Sequence, residues 1–493
     1  MSSTFTRPMA DNLTVIAALG LTVLSVAYLY HVRIVAPPES PNTPITVPYL
    51  IPWIGSFFSF NRDPLGFLEK CHLRYGRSYK ICVAGRTVVI ITDPDGVAFI
   101  SRDTTNHLDH KAVFIQILRA MGGLGPESVD FIQDLLDTKI FPIVKTVLSP
   151  TSMSEVTDRI DLLLPRELKA LSVANSPSIS LNLSELIGRP IYNAGCRALF
   201  GPTFPVDSFH DFVELDSYLP QLLTRLPFIA QRGKDARLRM VSMLEKYFES
   251  WWDSDGTEDI PEASATVMQS LIELKASRVS RRDAAGTLLL FLWGFHSNMW
   301  FMIFWLLTHL VVDKTSMTRM VADIDEFEAK RTSDSYEYGP PVLEAAIQET
   351  LRWATTSTTA RFATENTTVI AGGVPIPILK GEWVLGDIRA VHHNPSVYDD
   401  PHVFQIDRYA AGRENIPPAP KPFAWGQGKH MCPGRHVAVH VIRRFIVKLL
   451  TIYEVVPAKQ SMENMTIPPI SARHFLGSLK STEDVPVVLF RRL

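Results

Sequence analysis

Near the C-terminus, the stretch Trp425-Gly426-Gln427-Gly428-Lys429-His430-Met431-Cys432-Pro433-Gly434-Arg435 sets one cysteine on a glycine-rich loop that runs into an apolar segment with helical spacing. A thiol placed where a loop becomes a helix can face backbone N–H groups. These stabilise the thiolate that a ferric porphyrin takes as an axial ligand. Cys432 therefore reads as a ligand for haem iron, and Gly426, Gly428 and Gly434 omit side chains that would hold a macrocycle away. The plainer reading of a lone cysteine is core packing. Upstream, Glu349 and Arg352 stand three residues apart, so on a helix they share a face and can lock to a third group. Arg408 is the candidate for that group; a solvated surface pair has the same spacing.

Residues of this kind need a large framework to position them. At 493 residues, 46% hydrophobic and net charge −2, the chain can bury an extensive core and is too close to neutral for a nucleic-acid partner. Four cysteines (Cys71, Cys82, Cys196, Cys432) are too few and too scattered for a disulfide frame or a zinc cluster, which points to a reducing compartment. Short β-like runs, Ser78 to Val83 and Thr87 to Ile91, follow a helical stretch ending at Arg74-Tyr75-Gly76. Residues 125 to 300 are mostly helical in period, and irregular segments are expected around 360 to 430.

From Leu288 to Val312 the chain is apolar enough to suggest a membrane span, but Gly294, His296, Ser297 and Asn298 interrupt it. A helix buried on all sides inside a large domain gives the same profile. Positions 294, 295 and 298 share one face of such a helix. His296 is either a satisfied core histidine or a substrate contact. At the other end, Leu13 to Tyr30 is just long enough to cross a bilayer and is closed by His31 and Arg33. A signal peptide competes with that reading, although no strongly basic n-region or small-residue cleavage site is evident. A proline-rich connector follows, from Ala36-Pro37-Pro38 through Pro41, Pro44, Pro48 and Pro52.

The order of Glu349-Thr350-Leu351-Arg352, His393-Asn394-Pro395, Asp400-Pro401, Phe404 to Arg408 and the cysteine loop resembles the cytochrome P-450 superfamily over nearly the full chain. The resemblance implies a mainly α (α+β) P-450 fold with small β-sheets, organised as an anchor over 1–35, a hinge over 36–55 and a haem-thiolate catalytic domain over 50–493. It implies haem b on Cys432, lined by Trp425, Gly426, Gly428 and Gly434, with His430 and Arg361 as propionate partners. Glu349, Arg352 and Arg408 become a structural lock, and the apolar helix crosses the distal face. The family's Trp-x-x-x-Arg pair is absent, because no tryptophan occurs between Trp53 and Trp251. That leaves a third propionate contact unassigned, with Lys139 or Lys145 as options.

Most members carry an acid or amide followed by threonine on the distal helix, for proton delivery during oxygen activation. This chain has Ser297-Asn298 and no threonine between Thr287 and Thr308. Trp293 through Leu307, with Asn298 and Phe304-Trp305, is instead similar to the branch containing sterol 7α- and 12α-hydroxylases and prostacyclin synthase, as is Trp425. Asn298 and Ser297 are the catalytic candidates this implies. An amide donates and accepts hydrogen bonds but does not relay a proton as a hydroxyl does, and a structural amide beside Gly294 stays an alternative.

Further implied are a sterol- or terpenoid-like substrate, recognised by loops at 105 to 130 and 205 to 235, and electrons from NADPH through a separate reductase. That reductase has a basic docking face in Lys421, Lys429, Arg435, Arg443, Arg444 and Lys448. The implied location is the endoplasmic reticulum membrane, single-pass, with the catalytic domain facing the cytosol and the sequons at Asn182, Asn366 and Asn464 unmodified. The alternative is a haem-thiolate isomerase or dehydratase that acts on an already oxygenated substrate without a reductase.

Overall fold

The computed structural model describes residues 17–26, 42–102, 107–171, 178–224, 229–330, 339–356, 358–411, 419–458 and 465–492. They group into two compact units, Met1–Asp109 with Thr359–Ala390 and His110–Thr358 with Val391–Leu493.

The first unit is built on a six-stranded sheet in the order Ile45–Thr46, Ser78–Val83, Arg86–Ile91, Trp383–Asp387, Thr358–Ala363, Leu108–Asp109. Ser78–Val83 and Arg86–Ile91 pair antiparallel across Ala84-Gly85, both at positive φ, the backbone that a tight hairpin needs to match strand twist. Arg86–Ile91 then runs parallel to Trp383–Asp387. Val89, Ile91, Ile100, Leu108, Val369 and Val384 form a core against it. Helix Pro64–Tyr75 starts at Asp63, whose carboxylate accepts from the Gly66 N–H, and stops at Gly76 with φ +81°.

Two expectations for this unit need correction. The stretch expected to be irregular from about 360 begins with four strands, Thr358–Ala363, Thr367–Ala371, Val374–Ile378 and Trp383–Asp387. Pro375 and Pro377 are tolerated because their strand belongs to a separate two-stranded sheet, where Thr367–Ala371 is its sole neighbour. The proline-rich connector also enters the fold before residue 55, with Ile45 and Thr46 pairing in parallel with Tyr79 and Lys80 and Gly55 bridging Val83.

Of the N-terminal apolar run, Ala17–Val26 is a helix exposed along its length. Ten residues of helix are about 15 Å long, half the hydrocarbon thickness of a bilayer. The rest of that run, His31, Arg33, Pro37, Pro38, Pro41 and Asn464 lie outside the described residues, as do parts of the loops 105 to 130 and 205 to 235.

The second unit is helical, with one antiparallel sheet of Tyr453–Pro457, Pro486–Arg491 and Ser178–Asn182. Its axis is the 32-residue helix Arg281–Val312, started by Ser280, whose hydroxyl accepts from the Asp283 N–H. This is the one helix among the described residues long and apolar enough to cross a membrane, yet two-thirds of its most apolar window is buried in protein. Helices Leu183–Phe200, Gln231–Tyr247 and Pro341–Ala354 pack against it. So does Leu118–Gly122, a single π-helical turn continuing helix Lys111–Ile117. His296 is a buried core histidine. Its Nδ1 lies 2.8 Å from the Leu292 carbonyl among Tyr192, Phe212 and Phe295, and burial pushes its pKa down to about 4.

Candidate active site

The cysteine loop turns twice through glycines, Gly426 and Gly428, both with φ +68°. The Cys432 N–H donates to the Trp425 carbonyl at 2.9 Å, closing the loop just before helix Arg435–Ile452 begins. The backbone N–H groups of Gly434 and Arg435, where that helix begins, favour the thiolate form. Burial still pushes the Cys432 thiol up, against these N–H groups and the Arg435 charge. A bound metal reverses that balance, since it deprotonates a coordinating thiol outright. Trp425, Met431, Cys432 and Gly434 all keep accessible surface on a loop backed by a mostly buried helix.

On the long helix, the residues that keep accessible surface include Phe291, Gly294, Phe295 and Asn298, at the i, i+3, i+4, i+7 spacing of one face. A Cβ added at Gly294 would meet nothing within 4 Å, so a neutral, largely apolar stripe borders open space in the middle of an otherwise buried helix. A thiol with N–H donors and no side chain on three nearby loop glycines is a donor set that suits an axial thiolate under a flat macrocycle, and the residues fit haem in this sense.

Around the loop, the His430 ring lies 3.5 Å from that of His110, whose Nε2 faces Asp137. Lys145 Nζ donates to the Lys429 carbonyl at 2.6 Å, which puts it beside the loop, whereas Lys139 is paired with Glu273 on the surface. Of the two lysines that are options for the third propionate contact, Lys145 lies beside the loop and Lys139 does not. Arg361 belongs to the first unit, where its guanidinium donates to the Ala360 and Ser101 carbonyls.

Glu349, Arg352 and Arg408 are brought together in the core. Glu349 and Arg352 are 0% exposed, and the Glu349 carboxylate accepts Arg352 Nε and Nη2 at 2.8 Å, Arg408 Nε at 3.0 Å and the Gln405 N–H at 3.0 Å. The remaining guanidinium donors reach backbone: Arg352 Nη1 the His392 and Pro401 carbonyls, Arg408 Nη1 the Asp399 carbonyl. The lock thus ties helix Pro341–Ala354 to the irregular segment that leads to the cysteine loop.

Ser297 and Asn298 part company. One residue is 100° on a helix, and Ser297 points into a buried group of Asp216, Trp293 and Lys480. Its hydroxyl donates to Asp216 Oδ1 at 2.7 Å, Trp293 Nε1 donates to the same oxygen at 2.9 Å, and Lys480 pairs with Oδ2. Burial raises the Asp216 pKa and the lysine and hydrogen bonds outweigh it, so the net direction is down. Ser297, one of the two catalytic candidates, is thus held in this buried group, on a different face of the helix from Asn298. Asn298 sits on the open stripe, with the Ser478 hydroxyl against its carbonyl and side-chain oxygen. Gly477, at φ +80°, lies so close that any Cβ there would collide with the Asn298 amide. Sequence reasoning missed Asp216, Lys480 and Gly477, and no local signal linked residues this far apart.

The basic docking face is also thinner than expected. Arg443 pairs with Glu344, Arg444 with Asp161, and Lys448 lies 3.8 Å from Glu328, while Lys421 and Lys429 stay exposed.

The family model for cytochrome P450 matches residues 45–476. The chain is 21% identical to human 24-hydroxycholesterol 7-alpha-hydroxylase over 82% of its length and 86% of the relative's. It is 23% identical to human prostacyclin synthase over 89% and 92%, and 23% identical to rabbit (Oryctolagus cuniculus) cytochrome P450 7A1 over 88% and 91%. With the cysteine loop, the buried Glu/Arg lock and a family match spanning most of its length, this chain belongs to the cytochrome P450 family of haem-thiolate monooxygenases.

Proposed function

We propose that this enzyme hydroxylates or otherwise oxidises a lipophilic polycyclic substrate of the sterol or terpenoid class, using dioxygen and electrons passed from NADPH by a separate reductase. The observation that carries the reading is the open stripe of the long helix: Phe291, Gly294 and Phe295 offer apolar surface and Asn298 one uncharged polar contact. A hydrophobic ring system with a single hydroxyl or carbonyl suits that surface. One relative, 24-hydroxycholesterol 7-alpha-hydroxylase, is named for a sterol substrate, which is consistent with it.

When bound, a haem with a thiolate ligand supplies the oxygen chemistry, because the electron-rich sulfur favours O–O cleavage. Cys432 provides that sulfur, and His430 with Lys145 is assigned to the propionates; Arg361 is a propionate partner on the family resemblance alone. Phe291 and Phe295 exclude water, and the Asn298 amide orients a substrate oxygen or an ordered water. The chain is assigned to the endoplasmic reticulum membrane through its N-terminal apolar helix, single-pass with the catalytic domain in the cytosol, and to a reductase docked near Lys421 and Lys429.

A second reading, an isomerase or dehydratase acting on an already oxygenated substrate, is favoured by one observation. Asn298 is held by Ser478 and Gly477 and offers no hydroxyl for proton relay, and prostacyclin synthase is among the relatives. Reconstituted enzyme should convert its substrate to a product richer by one oxygen atom only when NADPH, reductase and dioxygen are all supplied. Conversion in the absence of NADPH, with no gain of oxygen, would establish the second reading instead.

A further inference from the structure

One run of chain joins the cysteine loop to the long helix. It starts at His110, stacked on His430, continues through helix Lys111–Ile117 and the π-helical turn Leu118–Gly122, and ends with Gly122 against the long helix. The approach is backbone to backbone: a Cβ on Gly122 would stand 2.7 Å from the Gly286 carbonyl oxygen. This run is thus a side wall of the space between the thiolate loop and the distal helix.

Arg119 lies in that wall, three residues before Gly122. Its Nε is buried and has no hydrogen-bond partner among the described residues. Arg237, from helix Gln231–Tyr247, is drawn to the same place, its Nη1 donating to the Arg119 carbonyl at 3.0 Å and the Ala120 carbonyl at 2.8 Å. Neither guanidinium has a carboxylate within ion-pair distance among the described residues. Four other buried or half-buried arginines do meet acids: Arg352 and Arg408 meet Glu349, Arg443 meets Glu344 and Arg444 meets Asp161. Burial pushes the Arg237 pKa down, with no nearby negative charge to oppose it. Two guanidinium groups without an anion, on a wall of the active-site space, form a receptor whose missing partner is negatively charged.

We propose that Arg119 receives a carboxylate at this wall. Two sources carry that chemistry: a haem propionate, filling the contact left by the missing Trp-x-x-x-Arg pair, or an acid group on the substrate. The inference rests on the haem-thiolate reading.

The test uses full-length holoprotein and the variants Arg119→Gln and Arg119→Lys, with two readouts. One is the rate of haem transfer to apomyoglobin. The other is the spin-state shift of the Soret band on titration with cholanic acid and with its methyl ester. If the partner is a propionate, Arg119→Gln loses haem about tenfold faster or more, Arg119→Lys falls between, and the acid-to-ester ratio is unchanged. A charge-assisted hydrogen bond is worth at least the ~1.4 kcal/mol of one tenfold step. If the partner is a substrate acid, the parent prefers cholanic acid to the ester by about tenfold and Arg119→Gln erases that preference without changing haem loss. An Arg119→Gln protein that matches the parent in both readouts overturns the proposal. Should Arg119→Gln yield no holoprotein, Arg119→Lys decides: recovery of holoprotein supports a charge-dependent role, and failure of both overturns it. The carbon-monoxide band of the parent, recorded in the same samples, tests the haem-thiolate reading separately.

Discussion

Replacing Glu349 with alanine should cost the protein its haem-binding fold, and the cost can be worked out from the lock. The native carboxylate offsets two buried guanidinium groups, so the triad carries one net positive charge. Removing Glu349 leaves two, with Arg352 0% and Arg408 5% exposed. Stranding a buried charge in this way costs about 3–5 kcal/mol, and the Gln405 N–H loses its acceptor at a further ~1–3 kcal/mol. The sum, about 4–8 kcal/mol, is comparable to the whole stability of a typical domain, about 5–15 kcal/mol. Buried ion pairs are often replaceable by apolar residues of similar volume. Here that route is closed, because the same arginines satisfy the His392, Pro401 and Asp399 carbonyls. A Glu349→Leu, Arg352→Met, Arg408→Met triple variant should therefore fail as well. Holoprotein yield and guanidinium unfolding followed by Soret absorbance and far-UV circular dichroism measure both. A Glu349→Ala protein with parental haem content and unfolding midpoint refutes the reasoning.

Three further outcomes are expected. Asn298→Ala should lower turnover about two- to tenfold, the value of one oriented hydrogen bond, and shift the product distribution. Asn298→Thr should be tolerated by a hydroxylase and make an isomerase consume NADPH without product; if both match the parent in rate and products, Asn298 is structural. Deleting residues 1–31 should release the protein from membranes, wholly or in part, with its haem spectrum intact, as fractionation and absorbance would show. Loss of the spectrum places that segment inside the fold. Burial opposes ionisation of Asp161, but the hydrogen bond and charge of His440 and the pair with Arg444 win and hold its carboxyl below the usual range. Its stabilisation is complete above the unfolded value of about 3.9 and is lost as pH falls through the lower folded value. Asp161→Asn should flatten that acid limb, measured as unfolding midpoints from pH 6 to pH 3, and an unchanged limb counts against the pair.

The parts of the site that were legible in the sequence are those written in contiguous residues. Glycines around Cys432 specify a loop, and an acid and a base three apart on a helix specify a shared face. The Gly372-Gly373 pair, φ +56° and +77°, carries an equally local hairpin signal, but the flanking Pro375 and Pro377 obscured it because prolines argue against central strands. Facing is harder to read than type. Ser297 and Asn298 are adjacent, and which of them looks into the cavity depends on Asp216, 81 residues away, and on Ser478, 180 residues away. A uniformly apolar helix carries no amphipathic stripe to announce its open face. Arg119 and Arg237 were invisible for a related reason: a charge without a counter-charge is a statement about neighbours, and those neighbours come from separate helices.

The contact between Asn298 and the Gly477-Ser478 turn also has a meaning during synthesis. The turn leaves the ribosome 180 residues after Asn298, a delay of about 10–40 s at ordinary elongation rates. Throughout that interval the 32-residue helix exists without the segment that covers its midpoint, and it is apolar enough to pass for a membrane span. The nascent chain therefore offers membrane-insertion machinery and holdase chaperones a false substrate. Substitutions that weaken the late turn should act first on how much protein matures, before they act on what the mature protein does.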